Sequence, residues 1–296
     1  MEKTGGIQGH FFAIITIIVW GTTFISTKVL LVDFKPVEII FIRFCIAVVA
    51  LSIVHPHRLK VKSLKEELHY AAAGLCGVTL YFIMESLALS LSAASNIGVL
   101  VSVSPFFTAL LASWFLAGEK PGRNFYIGFI IAITGIIIVS FNGSAILKLN
   151  PAGDFLAVGA AAAWAVYCII TRKISRFGHN TIKTTRRIFI YGLILMIPLL
   201  FMFDFRLGPE RFARPVNVLN ILYLGLGASA TCFVTWNLAV KAIGAVKTSV
   251  YIYGIPVITV AASAILLNEA VTWALLTGAA LILVGLFISE RKAVKS

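Results

Sequence analysis

The chain has 296 residues, of which 59% are hydrophobic and 12% are charged, whereas charged residues make up about 25% of a typical soluble domain. This composition excludes a water-soluble globule, and with it a nucleic-acid-binding module, a disordered tail protein and a secreted disulfide scaffold. The net charge of +13 is typical of a membrane protein whose cytoplasmic loops are rich in Lys and Arg.

Ten segments are apolar and long enough, at about 20 residues, to cross a bilayer as helices. In chain order they are 11–31, 37–54, 68–89, 93–117, 124–141, 153–171, 187–203, 218–240, 246–267 and 272–289. With a cytoplasmic N-terminus, 18 Lys and Arg residues fall in cytoplasmic loops and six in external loops. The positive-inside rule therefore predicts a multi-pass protein of the inner (cytoplasmic) membrane with both termini in the cytoplasm.

The two halves of the chain repeat one pattern. Trp20 and Arg43 recur 144 positions later as Trp164 and Arg187. A later block, Glu119, Gly128 and Gly135, recurs as Glu269, Gly278 and Gly285. We therefore predict an all-α integral membrane protein with two five-helix repeats, residues 1–147 and 148–296. Because five is odd, the second repeat enters from the other side of the membrane, and such inverted repeats suit an alternating-access transporter.

Several motifs resemble EamA-type members of the drug/metabolite transporter superfamily. They are WGTTFISTK in the first helix, the proline segments SVSPFFTALLASWFLAGEKP and YGIPVITVAASAILLNEA, and the glycine segments GFIIAITG and GAALILVG. The resemblance covers essentially the whole chain. It implies a ten-helix inner-membrane carrier of small metabolites, often an amino-acid exporter. It also implies that helices 1–4 and 6–9 surround a central cavity, with helices 5 and 10 at the periphery.

Pro105 and Pro256 lie at matched positions near the middle of predicted helices 4 and 9. A proline inside a helix removes one backbone hydrogen bond and clashes with the preceding turn. The prolines produce either a static bend or a hinge between half-helices, and their matched positions favour the hinge.

Arg43 and Glu85 are the charges furthest inside predicted spans, where each costs roughly 2.5–3.5 kcal/mol at a helix centre. Helical rise places both roughly 6–10 Å below the outer boundary. They form either a buried structural pair or part of the cavity wall. In the cavity, Glu85 would carry a proton or bind a substrate ammonium group, and Arg43 would bind a carboxylate. Lys28 is a second candidate partner for Glu85.

Aromatic and hydroxyl side chains within the spans suit a cavity for an amphipathic solute, although such residues also form interfacial belts and helix contacts. The predicted cavity residues besides Arg43 and Glu85 are Tyr81, Asn96, Ser102, Trp164, Tyr167, Trp236, Tyr251 and Tyr253.

Two glycine pairs, Gly128 with Gly135 and Gly278 with Gly285, are spaced seven apart and so share one helix face. We expect them to pack each fifth helix against its own repeat, with a dimer contact as the alternative. Glu119 and Glu269 occupy matched loop positions. A nearby cation, a cap for the next helix, or a gate contact would each explain them.

The sequence has no HExxH motif, nucleophile elbow, Walker A loop or dinucleotide fingerprint. We predict no enzymatic activity, no metal and no cofactor. The predicted function is secondary transport of small metabolites, such as export of amino acids, by alternating access. A nucleotide-sugar carrier, an intramembrane enzyme and a non-transporting scaffold are the alternatives. The expected partners are the bilayer and a small-molecule substrate, without nucleic acid, and the chain would be a monomer or homodimer.

Overall fold

The computed structural model describes residues 2–91, 100–140, 151–206, 208–267 and 273–290. Within these ranges every regular element is helical. Six of the described helices are long and apolar enough to cross a membrane, and four shorter helices are also apolar. The prediction of an all-helical membrane protein is confirmed.

The helices of the first half are numbered by the predicted span that each contains. They are α1 (Glu2–Leu30), α2 (Pro36–Val54), α3 (Leu64–Gly74, a π-helical stretch Leu75–Leu80, and Tyr81–Leu91), α4 (Ser104–Phe115) and α5 (Arg123–Ser140).

The helices of the second half follow in the same order. They are α6 (Pro151–Ser175), α7 (Thr181–Met202), α8 (Pro215–Leu222, a π-helical stretch Tyr223–Thr231, and Cys232–Ile243), α9 (Ala245–Val250, a 3-10 turn Tyr251–Tyr253, and Gly254–Leu267) and α10 (Trp273–Glu290). A 3-10 turn, Pro209–Ala213, precedes α8.

Local sequence explains where several helices begin and end. Pro36 occupies the first turn of α2, where a missing N–H costs nothing because it would have no partner inside the helix. The Asn180 side chain accepts hydrogen bonds from the backbone N–H groups of Ile182 and Lys183 at 3.0 and 3.2 Å and so caps α7. Gly244 separates α8 from α9 with φ of +92°, a conformation that a side chain would disfavour.

Both halves carry irregular helix at matched places. The π-helical stretches lie in α3 and α8, and π-helical turns are frequent at functional sites. Pro105 and Pro256 do not interrupt continuous helices, as their predicted mid-helix positions suggested. The helix containing Pro105 starts at Ser104 after a turn, and Pro256 follows the 3-10 turn of α9. A proline is best tolerated in the first turn of a helix, which explains both breaks. The breaks favour a junction between two half-helices over a static bend within one continuous helix.

The glycine pairs bring α5 and α10 together across the two halves. A Cβ atom on Gly285 would lie 2.6 Å from both the Gly128 oxygen and the Ala132 nitrogen, and one on Gly135 would lie 2.6 Å from the Gly278 oxygen. The expectation that each fifth helix packs on its own repeat is therefore wrong. The reason is that two glycine-lined faces approach most closely when they pack on each other. The same contact occupies these glycine faces within one chain.

The bundle has two ends, which we name by their turns. The proximal face carries turns 55–63, 116–122 and 176–180, and the distal face carries turns 31–35 and 203–214. Side-chain contacts hold each group of turns together. For example, Arg186 donates hydrogen bonds to the carbonyl oxygens of His55 and His57 at the proximal face, both at 2.7 Å.

Candidate functional site

Three tryptophans meet at the centre of the bundle. The ring centroids of Trp20 and Trp164 are 5.3 Å apart, those of Trp20 and Trp236 are 5.2 Å apart, and those of Trp164 and Trp236 are 5.8 Å apart. Trp20 and Trp164 are equivalent positions of the two halves, so the cluster lies where the halves meet. Trp20 is absent from the predicted site, although its alignment with Trp164 was a usable signal.

Trp164 connects this cluster to the predicted residues of α3 and α6. Its ring centroid lies 5.1 Å from that of Tyr81 and 5.0 Å from that of Tyr167. Its indole nitrogen is buried and has no hydrogen-bond partner among the described residues. The structure therefore brings four predicted residues into one aromatic wall, in which the indole nitrogens of Trp164 and Trp236 have no hydrogen-bond partner among the described residues.

Glu85 lies beside this wall. The Tyr81 hydroxyl, one helical turn earlier, donates a hydrogen bond to Glu85 Oε1 at 3.0 Å. Glu85 is half-buried, and within the described chain its second carboxylate oxygen has neither a hydrogen-bond partner nor a place among the enclosed atoms without one. One oxygen of the carboxylate is thus fixed by the protein, and the other has no hydrogen-bond partner among the described residues.

Arg43 is 6% exposed and is held by two kinds of contact. Its Nε donates a hydrogen bond to Ser229 Oγ at 2.8 Å. Its guanidinium carbon lies 5.0 Å from the centroid of the Phe82 ring, a cation–π distance. The two terminal nitrogens have no hydrogen-bond partner among the described residues.

Arg43 and Glu85 do not form a direct ion pair among the described contacts, although their charges act on each other. A chain of rings links them, because Phe82 is in contact with Arg43 and lies 4.9 Å from Tyr81. A direct Arg43–Glu85 ion pair is therefore not the contact that positions either side chain among the described residues. The side chain of Lys28, the rival partner, lies outside the described residues.

The Tyr167 hydroxyl has a structural role. It donates a hydrogen bond to Asn237 Oδ1 at 3.0 Å, and Asn237 Nδ2 donates to Thr185 Oγ1 at 3.1 Å. These buried contacts join α6, α7 and α8. Asn237 is absent from the predicted site, and only its place beside Trp236 could have indicated it.

The remaining predicted cavity residues have other surroundings where the structure describes them. Tyr253 is buried beside α5 and α10, 6.4 Å from the Phe129 ring, and the prediction that it lines the cavity is wrong. The Tyr251 hydroxyl lies 2.6 Å from His10 Nδ1. Residues two apart on a helix point to nearly opposite sides, which separates the two tyrosines. Ser102 is buried in the turn before Pro105, and Asn96 lies outside the described residues.

Glu119 ties together four helices at the proximal face. Its carboxylate forms an ion pair with Arg172 near the end of α6 and accepts a 2.7 Å hydrogen bond from the backbone nitrogen of Ala245, where α9 begins. Arg172 in turn donates to the carbonyl oxygens of Val240 and Lys241 at the end of α8, at 3.1 and 2.7 Å. The charge of Glu119 disfavours the end of its own helix but suits the start of α9. We call this group, Glu119, Arg172 and the Ala245 N–H, the proximal latch.

The distal face is also joined by charged groups. Asp33 accepts hydrogen bonds from Asn217 and Arg214, both at 2.7 Å, and Glu38 accepts from Arg211 at 2.6 Å. The pKa of Asp33 is lowered from its ordinary value chiefly by the hydrogen bond from Asn217, and Arg214 adds to this effect. These contacts link the α1–α2 turn and the start of α2 to the segment before α8 and the start of α8.

Comparison with known proteins agrees with this architecture. The sequence model of the "EamA-like transporter family" matches residues 7–141 and, a second time, residues 151–290. An "Uncharacterized transporter" of Archaeoglobus fulgidus is 27% identical and aligns over 96% of this chain and 97% of its own length. A "Probable amino-acid metabolite efflux pump" of Escherichia coli is 26% identical over 100% of this chain and 99% of its own length. A crystal structure with a TM-score of 0.80 and 21% identity covers 97% of this chain and 96% of that one, and shows the same fold.

Proposed function

This chain belongs to the EamA-like transporter family, and on that premise we propose that it is a secondary carrier that exports a small zwitterionic metabolite such as an amino acid. One observation carries the proposal. Arg43 and Glu85 lie beside one aromatic wall, and each has polar atoms without a hydrogen-bond partner among the described residues. Charges within a membrane span are costly and usually mark a substrate or ion pathway.

The geometry fits the three parts of an amino acid. The two free nitrogens of Arg43 suit a carboxylate, because a guanidinium can bind both carboxylate oxygens at once. The free oxygen of Glu85 suits an ammonium group. The indoles of Trp20 and Trp164 supply an apolar surface for the side chain, and the Trp164 N–H is available to a further acceptor. A substrate that carries both charges would neutralise the site as it enters.

The test is uptake of a panel of labelled amino acids into proteoliposomes that contain the purified chain. We expect saturable uptake of at least one member, and its KM should rise when Glu85 is replaced by Gln. Glu210→Gln, at the exposed distal turn, is the matched control and should leave uptake unchanged. If the folded wild-type protein takes up no member of the panel, the amino-acid proposal fails and nucleotide sugars become the next substrates to test.

The proposed mechanism is alternating access by two inverted repeats, with the proximal face in the cytoplasm. The proximal latch supports this mechanism because it joins the ends of α4, α6, α8 and α9 through a few polar contacts. Breaking those contacts would open the binding site toward the cytoplasm. Such a latch is suited to a carrier, since a few polar contacts between rigid helices can form and break as the halves rock.

Repeat symmetry extends this mechanism to the other face. The offset of 144 that relates Trp20 to Trp164 also relates Lys28 to Arg172, and Glu269 occupies the position equivalent to Glu119. A cation and a carboxylate therefore recur in the same order in both repeats. We propose that Lys28 and Glu269 form the equivalent latch when the carrier is open to the cytoplasm and closed at the distal face.

A further inference from the structure

A second charged cavity lies at the proximal face, between the turn that follows α2 and the turn between α6 and α7. Its volume is about 520 Å³. The residues that line it are His57, Arg58, Leu59, Lys60, Gly178, His179, Asn180 and Lys183. No acidic residue belongs to this set. The cavity is remote from the aromatic wall and plays no part in the proposed transport mechanism.

The cations of this cavity are not neutralised by the protein. Arg58, Lys60 and Lys183 form no ion pair within the described chain. The nearest carboxylate contact is that of Glu66, which accepts from His179 Nε2 at 3.4 Å and from the Lys62 backbone nitrogen at 3.0 Å. The concave surface therefore presents three positive charges without a counterion among the described residues.

The distal face gives an internal comparison. A cavity of about 440 Å³ there is also lined by cations, namely Lys35, Arg206 and Arg211. Each of these is paired, the first two with Asp204 at 3.0 Å and the third with Glu38 at 2.6 Å. Unpaired cations are thus a property of the proximal cavity and not of every basic cavity in this structure.

The proximal turn is held in place and experiences a positive field. Arg186 fixes it by donating to two of its carbonyl oxygens. The pKa of His55 is lowered from its ordinary value, first by burial and then by the positive charges of Lys183, His57 and Arg186. A bound anion would relieve this field without a rearrangement of the turn.

The surroundings of the cavity indicate where the anion comes from. Ile53 and Val54, in the last turn of α2, are 76% and 67% exposed, and Leu64 at the start of α3 is 75% exposed. In a membrane such apolar side chains face acyl chains, and the cations that lie only a few residues away then stand at headgroup depth. A lipid at this place would contact the exposed apolar side chains with its acyl chains and the cations with its headgroup.

We propose that this cavity binds the phosphate of an anionic phospholipid, with the acyl chains lying along Ile53 and Val54. Basic pockets between membrane helices are suited to anionic headgroups, and each Lys or Arg near the surface adds to the attraction. A zwitterionic choline headgroup would bring its own cation next to Arg58, Lys60 and Lys183. Free inorganic phosphate would use the cations but not the apolar edge.

The test measures the binding of dioctanoyl phosphatidylglycerol to the detergent-purified chain by thermophoresis, with dioctanoyl phosphatidylcholine and inorganic phosphate as the comparison probes. We expect the wild-type protein to bind the phosphatidylglycerol at least about tenfold more tightly than either comparison probe. The triple variant Arg58→Gln, Lys60→Gln, Lys183→Gln should lose this preference.

A second triple variant removes the same charge from the same face outside the cavity, by Lys65→Gln, Arg176→Gln and Lys241→Gln, and should keep the preference. If the cavity variant fails to fold, Lys183→Glu alone should still weaken the binding of phosphatidylglycerol. Equal binding of the two lipids by the wild-type protein, or an unchanged preference in the cavity variant, would overturn the proposal. Phosphate binding as tight as lipid binding would assign the cavity to a free anion instead.

Discussion

The Glu119 carboxylate of the first half lies 2.7 Å from the backbone nitrogen of Ala245 in the second half. An acidic residue at the end of its own helix therefore caps a helix that is 126 residues further along the chain. Arg172 binds the same carboxylate and two carbonyl oxygens near the end of α8. Through these contacts one carboxylate links four helix ends at the proximal face.

Replacing Glu119 by Gln removes the negative charge from the proximal latch and should allow these helix ends to separate. Spin labels on Lys120→Cys and Lys241→Cys, in a background without the native cysteines, report the distance between the ends of α4 and α8. We expect the wild-type latch to give one short distance and Glu119→Gln to add a longer population. Identical distance distributions in both proteins would show that Glu119 does not hold this face closed.

Gly285→Ala should destabilise the contact between α5 and α10. The new methyl group would lie 2.6 Å from backbone atoms of the facing helix, so the helices must move apart, at a cost of about 1–3 kcal/mol. Gly6→Ala is the control, because a Cβ atom there has nothing within 4 Å. Thermal unfolding in detergent compares the two, and a Tm for Gly285→Ala equal to that for Gly6→Ala would contradict the packing argument.

Tyr167→Phe should lower stability without changing substrate affinity. It removes the hydroxyl that donates to Asn237 and leaves a buried acceptor unpaired, which costs about 0.6–1.7 kcal/mol for hydrogen bonds between membrane helices. The matched control is Tyr126→Phe, whose ring is exposed on the outer surface of α5. A raised KM with unchanged Tm would place the Tyr167 hydroxyl in the binding site instead.

Asp33→Asn should lower the Tm at neutral pH, and the difference should shrink as the pH falls below 3.8. The pKa of Asp33 is lowered in the folded protein, so its stabilising effect is present above the ordinary pKa of 3.8 and is lost as the pH falls through the lower, folded value. Thermal unfolding measured from pH 7 down to about pH 3 tests this window. A Tm difference that grows below pH 3.8 would have the wrong sign.

The sequence predicts those parts of this protein that depend on local composition and on internal repetition. Apolar length predicts the helices, and the repeat aligns Trp20 with Trp164. The sequence does not predict which distant helices pack against each other. The pairing of α5 with α10, the cap on Ala245 by Glu119 and the separate burial of Tyr253 all depend on packing in three dimensions. The π-helical stretches of α3 and α8 also have no signal in hydrophobic periodicity.

The most direct test of the proposed substrate site combines Glu85→Gln with a substrate analogue that lacks the amino group. Inhibition of proteoliposome uptake gives the affinity of the amino acid and of the analogue for both proteins. If Glu85 binds the ammonium group, loss of the amino group weakens binding to the wild-type protein at least about tenfold but has little effect on the variant. If the analogue loses the same factor in both proteins, Glu85 does not contact the ammonium group, and the zwitterion site built on Arg43 and Glu85 is wrong.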